Sequence, residues 1–155
     1  MSEELTRAYA RIKRQWPGLA IRQHQPRIKG WPDFILIGGR VIFAEVKWLS
    51  KNTQVPCLAP MQSHWLNLLH KNGAHAFLLG CWVNGWIAWS APFERVVFNV
   101  GVFPSTDPWW VGKSLVNLSD QLSREDRNDE PLPLLAGTQR RSSLVGNAQS
   151  DARSR

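Results

Sequence analysis

The feature that most constrains this chain is a pair of apolar runs meeting at Gly38-Gly39-Arg40. Asp33-Phe34-Ile35-Leu36-Ile37 precedes the glycines, and Val41-Ile42-Phe43-Ala44-Glu45-Val46-Lys47 follows them. Both runs are rich in β-branched and aromatic residues and are bounded by turn formers, which predicts a β-hairpin. Turn length then sets the register, and the register decides which side chains share a face. A two-residue turn on the glycines pairs Asp33 with Ala44 and leaves Glu45 on the opposite face. A three-residue turn over Gly38-Gly39-Arg40 pairs Ile37 with Val41, Ile35 with Phe43 and Asp33 with Glu45. That turn needs a glycine at positive φ and usually carries a bulge. With it, Asp33, Glu45 and, two residues on, Lys47 gather at one end of a sheet.

The flanking segments supply the rest of a mixed domain. Over residues 3–16, Leu5, Ala8, Tyr9, Ile12 and Trp16 recur at helical spacing, while Arg7, Arg11 and Arg14 fall off the stripe. Pro17-Gly18 stops this helix, and residues 19–24 suit a short strand. After a polar loop from Ser50 to about Cys57, Pro60 opens a second helix over 60–72, with Met61, Trp65, Leu68 and Leu69 as its apolar face and Asn72-Gly73 at its end. Residues 74–80 read as a fourth strand, and Asn84-Gly85 signals a hairpin turn between Trp82-Val83 and Trp86-Ile87. The order of elements predicts an α/β or α+β fold, a central mixed sheet of 4–5 strands flanked by helices. No internal repeat is visible.

Charge is unevenly distributed. The chain carries 19 Lys plus Arg against 12 Asp plus Glu, a net +7. From Ser119 to Arg155 the six Arg and six acids cancel, and no aromatic residue occurs. That segment cannot bury enough apolar surface to offset its chain entropy, so 1–118 is expected to be the folded domain and 119–155 a disordered polar tail. Pro131-Leu132-Pro133-Leu134-Leu135 within it reads as solvated tail before it reads as a docking segment. The whole +7 thus belongs to residues 1–118, where ten of 13 basic residues precede Asn52 and surround Asp33 and Glu45. Such a balance favours a polyanionic partner. Cys57 and Cys81 make no CxxC pair, and His24, His64, His70 and His75 have no zinc spacing, so a structural zinc site is not expected. The longest apolar run, around Phe77 to Val83, is too short to span a bilayer. The acidic N-terminus lacks a signal-peptide pattern, and a cytoplasmic protein without membrane contact is expected.

Two carboxylates and a lysine held together suit metal-assisted phosphodiester cleavage. Carboxylate oxygens hold Mg²⁺, and the ammonium assists the attacking water or the charged transition state. Glu45 and Lys47 alone would read as an ion pair on a solvated face. With Gly30-Trp31-Pro32-Asp33-Phe34 before them and Leu58-Ala59-Pro60-Met61-Gln62 opening the next helix, they read as a site.

These stretches, from about Glu4 to Leu79, resemble the PD-(D/E)xK nuclease superfamily, near its VRR-NUC and Holliday-junction-resolvase-like branches. The resemblance implies a restriction-endonuclease-like fold and a Mg²⁺-dependent endodeoxyribonuclease, with Mn²⁺ able to substitute. It implies Asp33 and Glu45 as metal ligands, Lys47 as the catalytic lysine, Gln62 beside the metals, and an acid on the first helix. Glu4, four before Ala8 and eight before Ile12, is assigned that last role ahead of Glu3. Branched DNA (junctions, flaps) is the implied substrate, in a bacterial or phage-infected cell, and cutting a symmetric junction would require a homodimer. The alternative is a catalytically inactive nucleic-acid-binding module of the same fold.

Arg22, Lys29 and Lys51 are candidate backbone contacts. Trp31 and Trp48, flanking the site, are candidates for base stacking, although core packing is the default for most of the nine tryptophans. Trp82, Trp86 and Trp89 are expected to pack the second hairpin, or to form a dimer interface if exposed. Trp109-Trp110 have no assigned role.

Overall fold

The structure is a computed structural model that describes residues 1–24, 27–97, 101–104 and 107–129. Helix α1 (Glu3–Gln15) begins where the Ser2 side chain accepts a hydrogen bond from the Leu5 N–H. Glu3 and Glu4 in its first turn and Lys13 and Arg14 in its last complement the helix dipole. Strands β1 (Leu19–Arg22), β2 (Phe34–Ile37) and β3 (Val41–Trp48) follow as an antiparallel meander. Helix α2 (Pro60–Lys71) then returns the chain to β4 (His75–Trp82), which runs parallel to β3. A parallel neighbour needs such a crossover. The remaining elements are β5 (Gly85–Ser90), β6 (Arg95–Val97), β7 (Gly101–Phe103), β8 (Trp110–Gly112) and α3 (Leu115–Asp129).

The main sheet is mixed and six-stranded, in the order β1-β2-β3-β4-β5-β8, and β6 and β7 pair separately. Alternation along its strands builds two cores. Ala8 and Ile12 of α1, Trp16 just past its end, and Leu115, Leu118 and Leu122 of α3 bury one face against Leu36, Ala44, Leu79 and Trp86. On the other face Leu66 of α2 packs with Leu78, Ile87, Trp89 and Val102. The α+β class expected from the element order is observed. No helix among the described residues is long and apolar enough to cross a membrane.

The hairpin register is the one that a three-residue turn demands, with Ile37 opposite Val41 and Ile35 opposite Phe43. Gly39 adopts φ 80°, a conformation closed to most side chains.

Elsewhere the structure corrects the expectation. The sheet has six strands rather than four or five, because Trp110–Gly112 adds to β5. Three residues are too few to show an alternation. Trp109 is thereby explained, its N–H donating to the Ala88 carbonyl and its ring lying 5.2 Å from Phe77.

The second hairpin turns over Val83-Asn84, one residue earlier than read, with Trp82 opposite Gly85. Gly85 is needed inside the strand, since a Cβ there would meet Gly112 O and the Trp82 ring at 2.7 Å.

On α2 the buried residues are Ser63 and Leu66, whereas Met61 and Leu68 are about 40% exposed. Helix α3 runs through the expected boundary at 118, with Leu122 only 3% exposed. Two leucines at helical spacing suffice to dock it once α1 supplies a groove, so the folded part extends to at least 129. The remainder of the expected tail lies outside the described residues. Trp86 and Trp89 are buried, in line with a packing role.

Candidate functional site

The end of β3 and the start of α2 bring four side chains together. Glu45 is 2% exposed. Its Oε1 receives the Lys47 ammonium at 3.0 Å and also accepts a hydrogen bond from Gln62 Nε2. Gln62 Oε1 accepts from Lys47 Nζ at 3.1 Å and from the Ala59 N–H at 2.9 Å. Both donors point at the same Gln62 oxygen, so its amide can face the carboxylate only through nitrogen. The loop just before α2 therefore aims Gln62 at the strand, in place of the missing side-chain cap at Ala59.

Asp33 enters from the start of β2. The Val46 N–H donates to its Oδ2 at 2.9 Å, and its own carbonyl accepts from the Gln23 N–H at 2.7 Å. The Tyr9 hydroxyl lowers the proton affinity of the Asp33 carboxylate. Ser2, Leu5 and Tyr9 of the α1 region, with Trp48, complete a cavity of about 390 Å³ into which Asp33, Glu45, Lys47 and Gln62 face.

Burial raises the proton affinity of both carboxylates. Glu45 is pushed up to about 7, first by desolvation and then by the neighbouring Asp33, with Lys47 and Gln62 acting against the rise. Asp33 is raised as well, again mainly by burial, offset by the Val46 N–H, Tyr9 and the Lys47 and Arg22 charges. Desolvation and Asp33 push Tyr9 well above its ordinary value, so it remains a hydrogen-bond donor.

Glu45 Oε2 is buried with no hydrogen-bond partner. An unpaired carboxylate oxygen next to a second carboxylate fits a hard divalent cation, which would supply the positive charge this pair lacks. Among the described residues no three His, Cys, Asp or Glu side chains come together, and Asp33 and Glu45 are the two carboxylates that would hold it. Mg²⁺ suits so few protein ligands, because it keeps waters and substrate oxygens in its shell.

The sequence-predicted residues divide accordingly. Asp33, Glu45, Lys47 and Gln62 converge, and Trp48 lines the cavity. Arg22 lies over the Tyr9 ring, 4.6 Å from its centroid. Trp31 packs edge-on against Phe43 and Trp65, with centroids 6.1 and 5.1 Å away. Lys29 and Lys51 are exposed, and neither lines this cavity. Of the other basic residues near the N-terminus, Arg11 donates to the Trp82 carbonyl at 2.6 Å and Arg40 contacts His75 at 2.9 Å.

Glu4 does not occupy the place assigned to it. It is exposed, and Leu5 and Tyr9 form the wall beside Asp33. Helical side chains tilt toward the N-terminus, so a surface spot is covered by the residue about one position C-terminal to it. A third carboxylate there would also add charge to an already desolvated pair.

Tyr9 is the site residue that the sequence reading missed. It is the only tyrosine of the chain and sits on the buried stripe of α1, where its hydroxyl has to find a partner. Replacing Tyr9 by Phe is expected to raise the pKa of Asp33 further and to cost about 1 kcal/mol of stability. Thermal denaturation checks the second effect, and an NMR titration of the Asp33 carboxyl, displaced to higher pH, checks the first.

A scan against protein-family models and a search of curated proteins returned no match.

Proposed function

We propose that this chain is a metal-dependent DNA endonuclease of the PD-(D/E)xK type, with a restriction-endonuclease-like core and a preference for branched DNA. The observation that carries the reading is the convergence of Asp33, Glu45, Lys47 and Gln62 around an unpartnered, buried carboxylate oxygen. A cation-binding pair beside a lysine serves phosphodiester hydrolysis, and the basic balance of residues 1–118 suits a polyanionic substrate. Asp33 and Glu45 would hold Mg²⁺ or Mn²⁺. The bound ion would lower the pKa of a water and offset charge on the phosphate.

The chain's own groups do the rest. The Val46 N–H holds Asp33 by its Oδ2 on the wall of the cavity that Glu45 also lines. Lys47, whose side chain is 29% exposed and lines the cavity, would orient the attacking water and donate to a phosphate oxygen. Gln62 ties Lys47 to Glu45 and keeps both in one geometry before substrate arrives. Concerted cutting of a symmetric junction would use two copies of the chain.

A labelled panel of linear duplex, single strand, flap and four-way junction, incubated with Mg²⁺ or Mn²⁺, tests this reading. Cleavage that requires metal, is strongest on a branched member and weakens steeply with added salt is expected. Salt-sensitive binding with no cutting of any member would leave a nucleic-acid-binding module instead.

A further inference from the structure

A second cavity, of about 610 Å³, adjoins the site and shares only Asp33 with the first. Gln23 and His24 line it from the end of β1, and Ile28, Lys29 and Trp31 line it from the segment leading to Asp33. One side of it is pinned against α2. The Trp65 Nε1–H donates to the Lys29 carbonyl at 3.1 Å, and the Trp31 N–H to the Ile28 carbonyl at 3.3 Å. Gly30 adopts φ 80° and lies so close to α2 that a Cβ there would stand 2.6 Å from Met61 atoms. The Trp31 indole is wedged against Phe43 and Trp65. A recess that offers an indole, an aliphatic side chain, an amide, an imidazole and an ammonium is not accounted for by the carboxylate site.

We propose that this recess receives one unpaired nucleotide next to the phosphate being cut; the inference rests on the nuclease reading for the meaning of Asp33. The volume lies within the range of small-molecule sites, about 300–1,000 Å³. Trp31 and Ile28 offer apolar surface to a base, Gln23 and His24 offer hydrogen-bonding groups to its edge, and Lys29 offers charge to its phosphate. A base held in a duplex stack cannot enter such a recess, whereas an unpaired one enters without the cost of unstacking. The preference for branched DNA then arises here, one nucleotide away from the carboxylates, rather than in the carboxylates themselves.

The test is binding without cutting, in EDTA. Two labelled duplexes of the same sequence are compared, one fully paired and one with a single unpaired 2-aminopurine. The unpaired probe is expected to bind about ten-fold more tightly, with a change in 2-aminopurine emission. Trp31→Ala is expected to erase most of that preference. His24→Ala and Lys29→Ala, at exposed positions that place no demand on the core, are expected to reduce it several-fold and keep the test decisive if Trp31→Ala does not fold. Equal affinity for both probes, or a preference that survives all the folded variants, would overturn the proposal. Failure of the nuclease reading registers separately, as absence of Mg²⁺-dependent cutting by the wild type.

Discussion

Replacing Lys47 by Ala is expected to slow DNA cleavage by about 10²–10⁴-fold, the span seen when a positioned acid–base or electrostatic group is removed. Lys47 is the ammonium that touches Glu45, and it faces the cavity where a phosphate would sit. Its loss has a second consequence. Lys47 is among the groups that hold the Glu45 pKa down, so without it Glu45 takes a proton more readily than at its present value of about 7. The rate of the variant should therefore rise with pH over a higher range than that of the wild type. Single-turnover rates across pH, with folding checked by near-ultraviolet circular dichroism, measure both effects. A rate within a few-fold of wild type would remove Lys47 from the chemistry.

Stability is expected to depend on pH and on Mg²⁺ together. The folded-state pKa of Glu45, about 7, lies above its ordinary 4.5, so between these values the folded chain binds more protons than the unfolded one. Stability then falls as pH rises through that window, by on the order of 3 kcal/mol at about 1.4 kcal/mol per tenfold change in proton affinity. The shift of Asp33 is in the same direction and adds to the loss from its ordinary 3.8 upward. A cation that binds only the ionised pair returns stability where the pair is ionised. Millimolar Mg²⁺ should accordingly raise the melting temperature more at about pH 8 than at about pH 5. Glu45→Gln keeps the volume and the contact with Lys47 but has no charge to bury, so both the slope and the Mg²⁺ response should shrink. An equal Mg²⁺ effect at both pH values, or one that Glu45→Gln leaves intact, would place ion binding elsewhere.

Much of the site was legible because one local decision carries it. Gly38-Gly39-Arg40 sets the register, and the register places Ile35 and Phe43 on one face with Glu45 and Lys47 beyond them. Gln62 was legible only through the resemblance: Pro60 marks the helix start, but a lone glutamine in a first turn reads as an exposed polar residue. What escaped depended on tertiary context. The face of α2 that turns inward is set by where β3 and β4 lie, and it buries Ser63 and Leu66 in place of Met61 and Leu68. Helix α3 reads as polar tail until α1 offers Leu118 and Leu122 a surface. Strand β8 is three residues long and has no period of its own. The exchange of Glu4 for Tyr9 beside Asp33 turned on side-chain tilt, about one residue along the helix, which a stripe of apolar positions does not resolve.

The most direct measurement is product formation from labelled branched DNA by wild type and by Glu45→Gln, purified side by side, with Mg²⁺ and with EDTA. Cut strands are expected only from the wild type and only with Mg²⁺, with a loss of at least about 100-fold in the variant. Wild-type protein that cuts no member of the panel with Mg²⁺ or Mn²⁺, or cutting that Glu45→Gln retains, would contradict the nuclease reading.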